Sequence, residues 1–219
     1  MLQRSKLYTR REPTKDAKLF LIFCEGGATE PNYFAYFQNI SHNINLIVAE
    51  HGKGKNNPLG LYETACEVLL KTDENPNPKY DIAAIDEIWF VIDTDKWNEQ
   101  GDKINQLKEK LQKHLTWKIA QSNPCFEVWL HYHHFEEKPE FENISKCKSW
   151  KAHLNEKISG FSCDSHPILI ETAIKNSKQN YNTNNNQPDI CCTEVFNLAE
   201  LILPFVQEEI DEAKKRALK

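Results

Sequence analysis

Two places in the chain set carboxylates directly after an apolar run. Leu19-Phe20-Leu21-Ile22-Phe23-Cys24 ends on Glu25-Gly26-Gly27, and Ile88-Trp89-Phe90-Val91-Ile92 ends on Asp93-Thr94-Asp95. Glu25, Asp93 and Asp95 gathered in one crevice would repel each other unless a cation compensates them. Hard oxygen donors select Mg2+ or Mn2+, so a divalent metal site is the first chemistry these residues suggest. Alternate side chains of an extended segment share a face, which lets Asp93 and Asp95 address one ion while Thr94 points elsewhere. The glycine after Glu25 lets a phosphate or metal come close to the backbone.

Both apolar runs are continuous rather than alternating, and rich in branched and aromatic residues, as in strands buried on both faces. In open α/β sheets, ligands bind just outside the carboxyl ends of the strands, where these acids stand. The pattern predicts strands over 18–24, 44–48, 87–92 and 115–120, with helices from Thr29, over 59–71, over 103–114 and over 126–135. Thr29 is the expected cap of the first helix, which tolerates Pro31 in its opening turn. Tyr33, Phe34, Phe37 and Ile40 give that helix a buried face. Alternating strand and helix predicts a parallel three-layer α/β domain. Beyond it, 146–158, 167–180 and 193–219 read as helices, with an asparagine-rich loop over 181–188. The expected organisation is a basic arm over 1–17, an α/β domain over 18–140 and a helical C-terminal extension over 141–219 packed on it.

With 219 residues, 40% of them apolar, the chain can bury one substantial core. No apolar stretch approaches the ~20 residues that cross a bilayer, and Met1–Lys6 leads into no signal-like apolar segment. Seven cysteines, none in a Cys-x-x-Cys pair, fit a reduced cytoplasmic protein. A net charge of −5 argues against a grip on nucleic acid by the whole surface. Local basic clusters remain, at Arg10 and Arg11 in the arm and at Lys53 and Lys55 in His51-Gly52-Lys53-Gly54-Lys55. That loop lacks the spacing of a Walker phosphate cradle and reads equally as a polar loop or a substrate contact. His131, His133 and His134 have no cysteine or carboxylate pattern to complete a zinc site; His134 could instead approach the metal crevice or a phosphate. No serine nucleophile elbow stands out.

Three segments carry a resemblance. Phe23-Cys24-Glu25-Gly26 followed by Thr29-Glu30-Pro31-Asn32-Tyr33-Phe34, then Trp89-Phe90-Val91-Ile92-Asp93-Thr94-Asp95, then Ser122-Asn123-Pro124-Cys125-Phe126-Glu127-Val128-Trp129-Leu130 with His134-Phe135, resemble successive motifs of RloB-like proteins. Thr193-Glu194-Val195 and the apolar helix after it resemble their C-terminal end. The resemblance implies a Toprim-like α/β fold, with a mostly parallel central sheet flanked by helices and Mg2+ or Mn2+ held by Glu25, Asp93 and Asp95. It implies a role in bacterial restriction and phage-defence loci, often beside an ATPase. Gly27-Ala28 departs from a charged pair expected in many relatives, at a turn that would face substrate.

Glu127 is weighed partly on that third motif. With Asn123 as cap and Pro124 as first helical residue, it falls one position past the capping-box glutamate, free to complete a metal shell; otherwise it serves the helix dipole. The leading expectation is a Mg2+-dependent nuclease acting on DNA or RNA. Asp93 and Asp95 hold the metal, Glu25 is a ligand or general base, Glu127 binds a second metal or orients the first, and Lys53, Lys55, Arg10, Arg11 and His134 contact substrate. The rival is a non-catalytic Toprim-like subunit that regulates a partner ATPase or nucleic-acid complex. The C-terminal helices offer a surface for a homodimer. A topoisomerase would need a cleaving tyrosine on a further domain, and a primase nucleotide-binding machinery that the sequence does not display.

Overall fold

The computed structural model describes residues 17–50, 54–73, 75–94, 97 and 102–217. Its centre is built by the two apolar runs, β1 (Lys18–Cys24) and β3 (Glu87–Asp93), each buried through its interior because helices cover both sides. They pair in parallel, with Phe23 opposite Phe90 and Cys24 opposite Val91. The elements run β1, α1 (Thr29–Ala35), β2 (Ile44–Ala49), α2 (Pro58–Leu69), β3, α3 (Lys103–Leu111), β4 (Trp117–Asn123) and α4 (Glu127–His131). Then come α5 (Cys147–Ile158), a 3-10 turn (His166–Leu169), α6 (Ile170–Gln179), β5 (Thr183–Asn184), β6 (Gln187–Pro188), β7 (Cys192–Thr193) and α7 (Val195–Ala217). The main sheet has the order β2-β1-β3-β4-β7, parallel except for the short β7, while β5 and β6 form a separate hairpin.

The period-two alternation of strands divides the core. Phe20, Ile22, Cys24, Trp89 and Val91 face one layer with residues of α1, α4, α5, α6 and α7, whereas Leu21, Phe23, Ile88, Phe90 and Ile92 face α2 and α3. The chain therefore lays α1 on one face after β1 and α2 on the other after β2. Such a change of face opens a crevice at the carboxyl ends of the strands, here between β1 and β3. Residues after 140 share the first core layer, and Phe205 of α7 packs edge-on against Phe20 at 6.0 Å. Among the described residues no helix is long and apolar enough to cross a membrane, and the seven cysteines are free thiols.

Four local expectations change. α1 begins at Thr29 itself, and no side-chain cap is found there among the described residues; Phe37 and Ile40 are buried although the helix has already ended. β4 starts later and runs three residues further than apolarity suggests. Leu115 is fully exposed, while Gln121 and Ser122 are buried because the ladder to β3 continues to Asp93↔Ser122 and Thr193 pairs on the other side. Polar partners make that burial tolerable: Ser122 Oγ lies 2.8 Å from Thr193 Oγ1, and Gln121 Nε2 donates to Thr94 Oγ1 at 2.9 Å. Asn123 stays in the strand and donates to Pro188 O, so α4 starts at Glu127 after a cis Asn123-Pro124 bond and spans five residues. In the asparagine-rich stretch, Asn185 and Asn186 adopt left-handed φ values of 49° and 60°, which turn the chain into the β5–β6 hairpin.

Asp86 fixes where β1 meets β3. Its carboxylate is buried and accepts from Leu19 N–H at 2.9 Å and Ala83 N–H at 2.8 Å. Asp86→Ala orphans both donors and is expected to cost about 2–4 kcal/mol in urea unfolding. Asp86→Asn, which keeps one acceptor, should cost distinctly less; equal losses would place the effect elsewhere.

Candidate active site

The ladder carries on past the end of β1: Glu25 N–H donates to Val91 O at 3.0 Å. That register brings the Glu25 side chain beside the end of β3. There Oε2 accepts from Asp93 N–H at 3.3 Å, and Oε1 accepts from the indole N–H of Trp97. Asp93 leaves β3 on the face of Trp89 and Val91, toward α1 and α4, and its Oδ1 accepts from Phe126 N–H at 2.9 Å. Glu30, in the first turn of α1, is 4% exposed and accepts from Gly26 N–H at 3.1 Å. A Cβ at position 26 would collide with the Glu30 carboxylate, so glycine is required for this approach. Glu127 opens α4 at 6% exposure, with Lys151 Nζ of α5 standing 3.6 Å from its Oε1.

Gly26, Thr29, Glu30, Asp93, Glu127 and Lys151 line one cavity of about 310 Å³. Its electrostatics are one-sided. Burial first, then the charges of Glu30, Glu25 and Glu127, push the Asp93 carboxyl well above its ordinary range. Burial also raises Glu30, aided by Glu127 and opposed by its backbone hydrogen bonds and by Lys151. The Lys151 ammonium is raised in turn, chiefly by Glu127. Among the described residues it is the one cation lining the cavity.

The predicted site residues therefore divide. Asp93 and Glu127 meet in the cavity; Glu25 does not line it, yet its charge acts on Asp93. Asp95, Lys53, Arg10 and Arg11 lie outside the described residues. Lys55 pairs with Glu67 at 2.5 Å, away from the cavity. His134 is also elsewhere, with its ring 4.5 Å from that of His166 and its Nε2 buried without a hydrogen-bond partner among the described residues. The neighbouring imidazoles diverge: His133 binds Trp129 O and Tyr33, while His131 turns to Glu137 O and His153.

Two charged cavity residues escaped sequence reading. Glu30 stood inside a quoted motif but read only as a helix start; an acid four residues after Glu25-Gly26 was the available signal. Lys151 had none, since only packing of α5 against α4 brings it to Glu127.

A divalent cation suits a donor set of carboxylate oxygens, two of which, on Asp93 and Glu30, are raised in proton affinity by burial first and by neighbouring acids next. Among the described residues, no three acid, histidine or cysteine side chains already close on one point. Magnesium does not need such a cage, because it retains several waters and takes one or two carboxylates.

The RloB-like protein family matches the chain over residues 20–202, from within β1 to the middle of α7. No curated protein and no solved structure matches it.

With divalent ions chelated, Asp93 is raised in the folded state, so the folded state holds a proton that the unfolded chain releases near pH ~4. Its contribution to stability therefore falls as pH rises above that point. Buried neutral His131 and His133, pushed down to about 4 and about 3, act oppositely and gain stability as pH rises toward ~6.5. Comparison with Asp93→Asn isolates the carboxylate. The variant should melt above the parent at pH 8, by more than at pH 5. A margin that shrinks with pH would contradict the assignment.

Proposed function

This chain belongs to the RloB-like family, and we propose that it is a metal-dependent nuclease of Toprim-like fold that cleaves phosphodiester bonds of nucleic acid in defence against phage. The observation that carries this reading is the meeting of Glu30, Asp93 and Glu127 in one crevice beside Glu25, with Lys151 as counter-charge. Four carboxylates so arranged lower stability without a cation, a cost that belongs to a working site rather than to a scaffold.

Asp93 and Glu127 would hold Mg2+ or Mn2+, with Asp95 joining them on the strength of the sequence motif. When bound, the ion polarises the scissile phosphate and lowers the pKa of a coordinated water. The chain's own groups do the rest. Glu30, shielded from solvent and raised above the ordinary carboxylate range by burial, suits the acceptance and return of a proton. Glu25, tied to the Trp97 indole and Asp93 N–H, fixes the end of β3 next to the ligand. Lys151, 3.6 Å from Glu127 Oε1, would pair with a phosphate oxygen instead if Glu127 served as a ligand. Gly27, with open space where a Cβ would stand, gives the phosphate a path to the backbone.

A second reading has its own support, because each described carboxylate is already engaged by the protein: Glu25 by Trp97, Glu30 by Gly26, Asp93 by Phe126 and Glu127 by Lys151. It makes the chain a binding subunit that regulates a partner, such as an ATPase.

Purified protein is expected to cleave plasmid, linear DNA or RNA with Mg2+ or Mn2+ and not with chelator. Asp93→Asn and Glu30→Gln should each lower the rate about 10²–10⁴-fold, and Glu25→Gln should also slow it. Cleavage unchanged in these variants would mark the activity as a contaminant. Calorimetry showing no metal binding, together with tight complex formation with a partner, would favour the regulatory reading.

A further inference from the structure

A second cavity, distinct from the acidic crevice, opens at the C-terminal end of α4 and beside α5. It measures about 590 Å³ and is walled by His131, Phe135, Phe141 and His153, with Glu140 and Glu156 among its carboxylates. The rings are ordered in pairs. His131 stacks on Phe135 at 4.6 Å and 20°, and His153 stacks on Phe141 at 4.8 Å and 20°.

Hydrogen bonding fixes the protons on these imidazoles. Glu137 O, 2.9 Å from His131 Nε2, can only accept, so Nε2 carries the hydrogen. Neutral His131 then has a lone pair on Nδ1, and burial holds it neutral. His153 Nε2, 3.3 Å away, must donate to it. The remaining lone pair of the relay is on His153 Nδ1, which has no hydrogen-bond partner among the described residues. Around it stand acids in excess. Glu156 is answered by Lys157 at 3.4 Å and Glu136 by Lys175 at 3.5 Å, whereas Glu137 and Glu140 have no ion pair among the described residues.

An acceptor nitrogen, aromatic faces and uncompensated carboxylates together describe a receptor for a planar cation that carries several N–H donors. A guanidinium meets all three demands, stacking on rings while its edge donates to nitrogen and carboxylate. An ammonium is a more strongly hydrated point charge and gains less from the flat walls. The exposed Glu136, Glu137 and Glu140 leave one end open to solvent, as a side chain entering from another polypeptide requires. We infer that this cavity is the docking site for an arginine side chain of a protein partner. α4 carries Glu127 to the acidic crevice and His131, one turn later, to this cavity, while α5 sends Lys151 to the crevice and His153, two residues on, to the cavity. A partner seated here would bear on both helices that frame the crevice.

The probe is a capped Gly-Arg-Gly tripeptide, titrated calorimetrically into the full chain beside its citrulline isostere and spermidine. The arginine peptide is expected to bind, with citrulline weaker by about tenfold or more for loss of the charged donor. His153→Phe, which keeps the stacking and removes Nδ1, and Glu140→Gln should each weaken binding severalfold, with the melting temperature as a check on folding. Glu140 is exposed, so its variant serves if His153→Phe does not fold. No binding of the arginine peptide, equal binding of the citrulline peptide, unchanged affinity in Glu140→Gln, or tighter binding of spermidine would overturn the inference.

Discussion

The burial of several carboxyl groups together at the end of a parallel sheet is the constraint that organises this molecule. Asp93 and Glu30 are both shielded and both raised in proton affinity, with burial the first cause and neighbouring acids the next. Hydrophobic packing alone would not bring them together; each is held by a backbone donor aimed at it. Phe126 N–H serves Asp93 and Gly26 N–H serves Glu30. Those donors exist because the chain turns sharply at Gly26 and restarts as α4 just after Cys125. The apolar sheet supplies the rigidity, and the turns at its edge supply the electrostatics.

The same economy appears in α4. Five residues present Glu127 at one end and His131 at the other, with Val128, Trp129 and Leu130 buried between them. Trp129 is fully buried against Tyr33 and His133, so the helix cannot tilt without disturbing the aromatic layer under α1. Tyr33 itself donates to His133 Nε2, since His133 Nδ1 is committed to Trp129 O. A short helix with a dense aromatic anchor positions its terminal side chains more firmly than its own hydrogen bonds would. Glu25 has a comparable support in Trp97, which reaches it from beyond β3.

Much of this was legible in the chain. β1 and β3 were readable because strands buried on both faces carry continuous branched and aromatic runs. Glu25 and Asp93 were readable because they interrupt those runs where the strands end. Glu127 was readable from its motif, though not from helix capping, since Asn123 belongs to β4 and donates to Pro188. Polar β4 residues misled for a different reason: Gln121 and Ser122 are buried by pairing with Thr94 and Thr193, partners 27 and 71 residues away along the chain. No local pattern announces such pairing. Lys151 was illegible on the same ground, being an exposed helix residue whose role depends on which neighbour α5 packs against.

Composition and periodicity by themselves determined the α/β class, the two central strands and the acids at their ends, because burial selects apolar side chains at fixed spacing and polar residues mark where burial stops. Tertiary structure alone decided which acids meet. Glu30 joins Asp93 where the missing Cβ of Gly26 leaves room for its carboxylate, and Glu127 and Lys151 arrive on helices whose placement follows from long-range packing. Spacing along a chain sets direction and face within one element; distance between elements is set by the core they share.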